Sequence, residues 1–135
     1  EIGVFGSRYC SAYMNENKLE RLAKVAREAA KQCLRASVPE VEYYSSLEGA
    51  LASCAGYENK LFACEFAEKS ETDLRGLKGS CALVVGSEGG FAPEEFERAR
   101  AAGFAGISLG RRILRAETAA VAFTAVTMFL LGELG

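Results

Sequence analysis

Five consecutive apolar residues, Cys81-Ala82-Leu83-Val84-Val85, run into Gly86. Such a run lacks the alternation of a strand with one wet face. It predicts a strand covered on both faces, central in a parallel sheet. The flanking segments fit that frame. Residues 17–37 place Leu19, Leu22, Ala23, Ala26, Ala29, Ala30 and Cys33 on one stripe of a helix. Asn17 is its expected cap, Glu20 its third helical position, and Pro39 lies just past its end. A strand at 41–44 leads to Ser45-Ser46-Leu47-Glu48, a capping box opening a helix to about residue 54. A strand is expected at 61–66 and a short helix at 72–77. Pro93 suits a first helical position, Glu94, Glu95 and Glu97 suit the positive end of that helix, and Gly103 stops it. A last strand at 107–109, a loop at 110–115 and a helix at 117–131 complete the chain. Strands alternating with helices imply one α/β domain, residues 1–135, with a mostly parallel sheet and helices on both faces. Ligands in such sheets bind beyond the carboxyl ends of the strands.

Composition removes several chemistries. The 135 residues include no histidine, which excludes Ser-His-Asp triads, Cys-His dyads, imidazole metal sites and imidazole proton relays. There is no tryptophan, so any base stacking falls to Phe, Tyr or Arg. The 16 basic and 18 acidic residues leave a net charge of −2, and no global positive field marks a nucleic-acid binder. Cys10, Cys33, Cys54, Cys64 and Cys81 are odd in number and without C-x-x-C spacing, so a zinc ribbon or thioredoxin motif is out and no metal is expected. Their expected role is core packing in a reducing, intracellular, cytoplasmic setting. No secretory signal opens the chain. The most apolar stretch, 119–131, is too short to span a bilayer, contains Thr124 and Thr127, and reads as a buried helix, so no membrane is expected.

Two loops leave strand ends with unusual content. Gly86-Ser87-Glu88-Gly89-Gly90-Phe91 has three glycines that allow close backbone approach. It is neither a dinucleotide fingerprint nor a P-loop, and Glu88 would repel a phosphate. It serves either as a tight turn or as a ligand wall, with Glu88 accepting ribose or amino-group hydrogen bonds or facing a cation. Leu109-Gly110-Arg111-Arg112-Ile113-Leu114-Arg115-Ala116-Glu117 places three arginines around two aliphatic side chains. The guanidinium fork suits phosphate or a base edge. Ile113 and Leu114 can wall a slot for a flat ring. A basic loop with Glu117 capping the last helix explains the same residues. From Lys18 to Arg35, six basic residues face two glutamates, which by itself describes a solvated helix face.

The two loops together resemble the C-terminal signature of the RsmE family. The first block is Val84-Val85-Gly86-Ser87-Glu88-Gly89-Gly90-Phe91, and Ala102-Gly103-Phe104 follows it. The second is Ser108-Leu109-Gly110-Arg111-Arg112-Ile113-Leu114-Arg115-Ala116-Glu117-Thr118-Ala119-Ala120. Upstream, Glu28-Ala29-Ala30-Lys31-Gln32-Cys33-Leu34-Arg35, Val38-Pro39-Glu40-Val41 and Glu1-Ile2-Gly3-Val4 are similar to further family segments. The resemblance implies a SPOUT-type fold with a C-terminal trefoil knot and a homodimer. It implies an S-adenosylmethionine-dependent methyltransferase acting at N3 of a uridine in small-subunit (16S) ribosomal RNA. Cofactor contacts would come from Gly86, Glu88, Gly89, Gly90, Leu109, Gly110, Ile113 and Leu114. Arg115 would stabilise the uridine N3 anion and Glu117 is the nominated base, with Glu88 behind it. RNA contacts would come from Arg8, Gln32, Arg35, Arg111 and Arg112, which turns the basic helix from a solvated face into an RNA face.

Departures from the family pattern are specific. Ser87 stands where Pro is usual, Ala116 where Thr is usual, and Leu34 where Gly or a small residue is common. The stretch between Val4 and Ser7-Arg8 is short, and none of these 135 residues resembles the family's N-terminal PUA-like RNA-binding barrel, as expected of the interior of a longer protein. Ser87 and Ala116 keep a second class open, a noncatalytic RNA- or nucleotide-binding module of the same fold.

Overall fold

Strand pairing is parallel throughout the computed structural model, which describes residues 1–10, 13–64 and 70–134. Strands β1 (Ile2–Phe5) and β2 (Val41–Tyr44) form one ladder, with Ile2 opposite Val41 and Phe5 opposite Tyr44. A second sheet has the order β4 (Cys81–Val84), β3 (Asn59–Ala63), β5 (Ala105–Ile107). The single sheet expected from sequence is thus two hydrogen-bonded sheets. The apolar run at 81–85 does form a parallel strand, but β3 is central and β4 pairs along one edge only among the described residues. Apolarity on both faces reports helices above and below, and says nothing about lateral neighbours. β3 starts two residues before the expected 61, and residues 65 and 66 of that expectation lie outside the described residues. β5 also starts two residues before the expected 107, pulled into register by Leu61 opposite Ala105.

Helices α1 (Glu16–Gln32), α2 (Leu47–Ser53), α3 (Pro93–Ala101) and α4 (Ala116–Leu130) join the strands. A 3₁₀ turn at Leu74–Gly76 replaces the expected short helix. Residue alternation along the strands makes two cores. Phe62, Ala82 and Val84 pack with Leu47 and Leu51 of α2 and Phe96 and Ala99 of α3. Leu61 and Ile107 pack on the other face with Leu77 and with Ala119 and Phe123 of α4. Helices therefore cover both faces. Phe62 has no exposed surface, and its ring centroid lies 4.3 Å from that of Phe91. Burying such a side chain contributes about 2–3 kcal/mol.

Helix ends follow local chemistry. Asn15, not Asn17, caps α1, its side chain accepting from the Lys18 amide at 2.9 Å. Ser46 caps α2 and accepts from the Gly49 amide, so Glu48 is released to pair with Arg98. α3 begins at Pro93 and ends in a Schellman motif, with Gly103 at φ 87° and the Phe104 amide bonded to the Ala99 carbonyl at 3.0 Å. α4 ends the same way at Gly132. α1 repeats the motif with Leu34 at φ 58°, which stops the helix five residues before the expected 37. Cys33, expected in the core, is exposed at that end, while Cys64 is buried and Cys10, Cys54 and Cys81 are partly buried. Burial pushes the Cys81 thiol pKa up.

α4 is not the wholly buried helix expected from its composition. Ala119, Phe123 and Thr127 face the core, but Val121 is 72% exposed and Phe129 67%. A helix apolar all round is a buried one only when every side has a neighbour. Among the described residues no helix is long and apolar enough to cross a membrane.

The free edge of β5 is closed by residues 70 and 71 rather than by a strand. The Glu71 amide donates to the Gly106 carbonyl at 2.8 Å, and the Gly106 amide donates to Glu71 Oε2 at 2.7 Å. Glu71 Oε1 accepts from Arg100, whose guanidinium sits 4.3 Å from the Phe96 ring centroid. The Arg100 hydrogen bond holds the Glu71 carboxyl below the usual carboxylate range, against partial burial and with help from the Gly106 amide. β5 is therefore held between β3 and the connection leading from β3 to β4.

Candidate functional site

A cavity of about 410 Å³ opens beyond the carboxyl ends of β3, β4 and β5. That is where a parallel sheet presents its loops to a ligand, and the volume suits a small organic molecule. Ala63 and Cys64 enter it from β3, the glycine loop from β4, and residues 108–117 from β5. Val85, Phe91, Ala119 and Phe123 supply apolar surface. Both loops singled out in the sequence meet here because β4 and β5 flank β3 in the same direction.

The nominated residues separate into groups. Gly86, Glu88 and Gly90 line one side of the cavity, and Leu109, Gly110, Ile113 and Leu114 line another. Arg111, Arg112, Arg115 and Glu117 also line it, all four exposed. Arg115 is the N-cap residue of α4 and makes no side-chain capping bond. Glu117 lies in the first helical turn, so its expected capping role passes to a favourable position near the helix dipole. Three guanidinium groups against the carboxylates of Glu88 and Glu117 leave the lip net positive over an apolar floor.

Gly89 does not line the cavity. A Cβ there would stand 2.8 Å from the Cβ and the carbonyl oxygen of Tyr9, so this glycine lets the chain after β1 pass against the loop. Arg8 lies in a separate groove with Ser45, Ser46 and Arg98. Its amide donates to Glu95 Oε1 at 2.8 Å and its guanidinium is 3.5 Å from Glu94. Glu95 is buried, and its other oxygen accepts from the Ala92 amide, so it ties the segment after β1 to the start of α3. Gln32 and Arg35 lie at the exposed end of α1 and reach neither cavity nor groove.

Sequence reasoning missed Ala63, Cys64, Ser108 and Phe123 as cavity residues. Extending β3 to residue 66 placed the first two in mid-strand; the signal that identifies them is the central position of β3. Ser87 carries a further feature. Its hydroxyl oxygen is buried with no hydrogen-bond partner, beside a turn in which the Gly90 amide donates to the Ser87 carbonyl at 2.9 Å. An orphaned hydroxyl in a cavity wall is a group that a polar ligand can satisfy. Among the described residues no group of three or more His, Cys, Asp or Glu is placed to hold a metal.

A parallel α/β domain with this cavity is the frame of an RNA methyltransferase domain. Residues 1–128 match that family, and the chain belongs to it. The ribosomal RNA small subunit methyltransferase E of Mesomycoplasma hyopneumoniae is 32% identical over 124 residues, covering 90% of this chain and 54% of that protein. Its counterpart in Buchnera aphidicola, from Acyrthosiphon pisum, is 36% identical over 118 residues, covering 84% and 46%. The crystal structure of a ribosomal RNA small subunit methyltransferase E from Neisseria gonorrhoeae bound to S-adenosyl methionine superposes with a TM-score of 0.81. It shares 29% identity, over 94% of this chain and 53% of that one. The chain spans about half the length of the relatives it matches.

Proposed function

We propose that this domain is the catalytic part of an S-adenosylmethionine-dependent methyltransferase that modifies N3 of a uridine in small-subunit (16S) ribosomal RNA, in the cytoplasm. The observation that carries this reading is the cavity itself, which joins the two signature loops in a chain that matches the family from residue 1 to 128. The residues fit such a cofactor. Aliphatic Leu109, Ile113 and Leu114 suit an adenine ring, the glycine loop allows close approach, and the unpartnered Ser87 hydroxyl awaits a polar group. The chemistry supplied by the bound cofactor is an electrophilic sulfonium methyl.

The protein's own task is to raise the share of reactive N3. A neutral uridine N3 is a poor nucleophile, whereas its anion spreads charge onto the neighbouring carbonyl oxygens. Arg115, on the cavity lip at the positive end of α4, stabilises that charge. Glu117, in the first turn of the same helix, accepts the N3 proton, directly or through water. Orienting N3 against the methyl supplies much of the remaining rate. Arg111 and Arg112, on the lip, and Arg8, beyond the glycine loop, contact RNA phosphates or base edges. Gln32 and Arg35 extend that surface along α1.

Two finer features belong to the same proposal. The C-terminal part forms a trefoil knot, supported by β5 lying between β3 and residues 70–71 of the preceding connection. The molecule is a homodimer joined through α4, supported by the exposed apolar side chains of Val121 and Phe129.

Calorimetry with S-adenosylmethionine tests the cofactor assignment, and tritiated methyl transfer to small ribosomal subunits tests the activity. Arg115→Ala is expected to keep cofactor affinity and lose transfer. Absence of cofactor binding by the folded protein overturns the enzyme reading. Binding without transfer by the full-length protein identifies a binding module instead.

A further inference from the structure

Ser70 lies outside both signature loops, yet it holds one of them. Its hydroxyl accepts from the Ser108 amide at 3.1 Å and donates to the Ser108 carbonyl at 3.2 Å. Ser108 repeats the arrangement one step further on: its hydroxyl accepts from the Gly110 amide at 3.3 Å and donates to the Gly110 carbonyl at 3.1 Å. Gly110 forms part of the cavity wall at φ 108°, and a Cβ built there would meet nothing within 4 Å. No described atom stands where a Gly110 Cβ would project. Two hydroxyl groups in series hold this wall, and the first is placed by the main chain of its neighbour Glu71, whose amide bonds the Gly106 carbonyl.

We propose that Ser70 is a positioning residue for the cavity, setting the Leu109–Gly110 wall through Ser108 without touching the ligand. A wall free to shift must be ordered when ligand arrives, and that ordering subtracts from affinity. A wall already fixed by the serine relay avoids this. The identity of the ligand rests on the function proposed above; the relay does not.

The test compares the parent, Ser70→Ala, Ser70→Thr and Glu71→Gln. Three quantities are measured: S-adenosylmethionine affinity by calorimetry, amide hydrogen exchange at Ser108 and Gly110, and the thermal midpoint. Ser70→Ala is expected to weaken affinity about tenfold, the scale of losing one or two net hydrogen bonds. Exchange at Gly110 is expected to quicken by a similar factor. Ser70→Thr, which restores a hydroxyl, recovers both. Glu71→Gln loosens β5 at Gly106 and lowers the midpoint while leaving most of the affinity. Unchanged exchange at Gly110 in Ser70→Ala overturns the proposal. So does an affinity loss that follows the thermal midpoint equally in Ser70→Ala and Glu71→Gln. A parent that binds no S-adenosylmethionine overturns the function, and the exchange data still decide the relay.

Discussion

Leu34 offers a substitution whose effect can be worked from geometry alone. It holds φ at 58°, in the left-handed region, and terminates α1 through bonds from the Leu34 amide to Lys31 and from the Arg35 amide to Ala30. The two other helices closed this way, α3 and α4, use Gly103 and Gly132 at the same position. A side chain in that region costs about 1–2 kcal/mol through the clash of its Cβ with the backbone. The Leu34 side chain is 91% exposed, so burial returns almost nothing. Leu34→Gly relieves the clash and loses roughly 0.5–1 kcal/mol through the greater freedom of glycine in the unfolded chain. The net expectation is a gain of about 0.5–1 kcal/mol. In urea that raises the midpoint by roughly 0.3–0.5 M at constant slope, and on heating it raises the midpoint by about 2–4 °C. Leu34→Ala keeps the Cβ and is the control, with a change within about 0.5 kcal/mol. A Leu34→Gly midpoint equal to or below that of the parent, with an unchanged slope, refutes the strain argument.

Three other outcomes are expected. Gly86→Ala places a Cβ 2.9 Å from the buried Phe91 ring, and should cost about 1–3 kcal/mol in urea unfolding and weaken cofactor binding by calorimetry. Glu71 has a carboxyl held below its ordinary pKa, so its stabilisation is present above the ordinary carboxylate value and is lost as pH falls through the lowered folded value. Glu71→Gln should therefore flatten the acid side of the stability–pH profile below about pH 4.5 and leave the neutral-to-basic side parallel to the parent; an unchanged acid limb contradicts this. On the proposed homodimer, replacing Val121 and Phe129 by Asp should shift sedimentation from dimer to monomer; a parent that sediments as a monomer refutes the dimer, and a dimer that persists places the interface elsewhere.

Periodicity and terminator residues foretold the four α-helices among the described residues, because Pro93, Gly103 and the α1 stripe act over a few neighbouring residues, whereas the helix expected at 72–77 is only a 3₁₀ turn. Lateral order was not legible. The run at 81–85 reports what covers its faces, and only the long-range pairing of Leu61 with Ala105 shows that β3 is the centre. The same limit hid Ala63 and Cys64 from the site, since their role follows from where β3 ends. It hid Ser70 as well, whose partner Ser108 lies far along the chain and whose own neighbours carry no motif. The end of α1 was misread because a leucine does not by itself signal the left-handed region; the one hint was that Leu34 stands where the family commonly has Gly or a small residue.

Cavity residues come from 63–64, 85–88, 90–91 and 108–123, and none comes from the described part of the first 60. During synthesis the opposite wall, residues 108–117, follows the glycine loop, and β5 must first take its place beside β3, a pairing of distant segments that forms slowly. A nascent chain that has reached only residue 104 has one loop and nothing facing it. Ligand cannot act as a template for early folding, because no half-made chain has a place for it. Retention on an immobilised analogue of the proposed cofactor would therefore sort assembled domains from truncated or misassembled ones, and serve as an assay of quality as much as of binding.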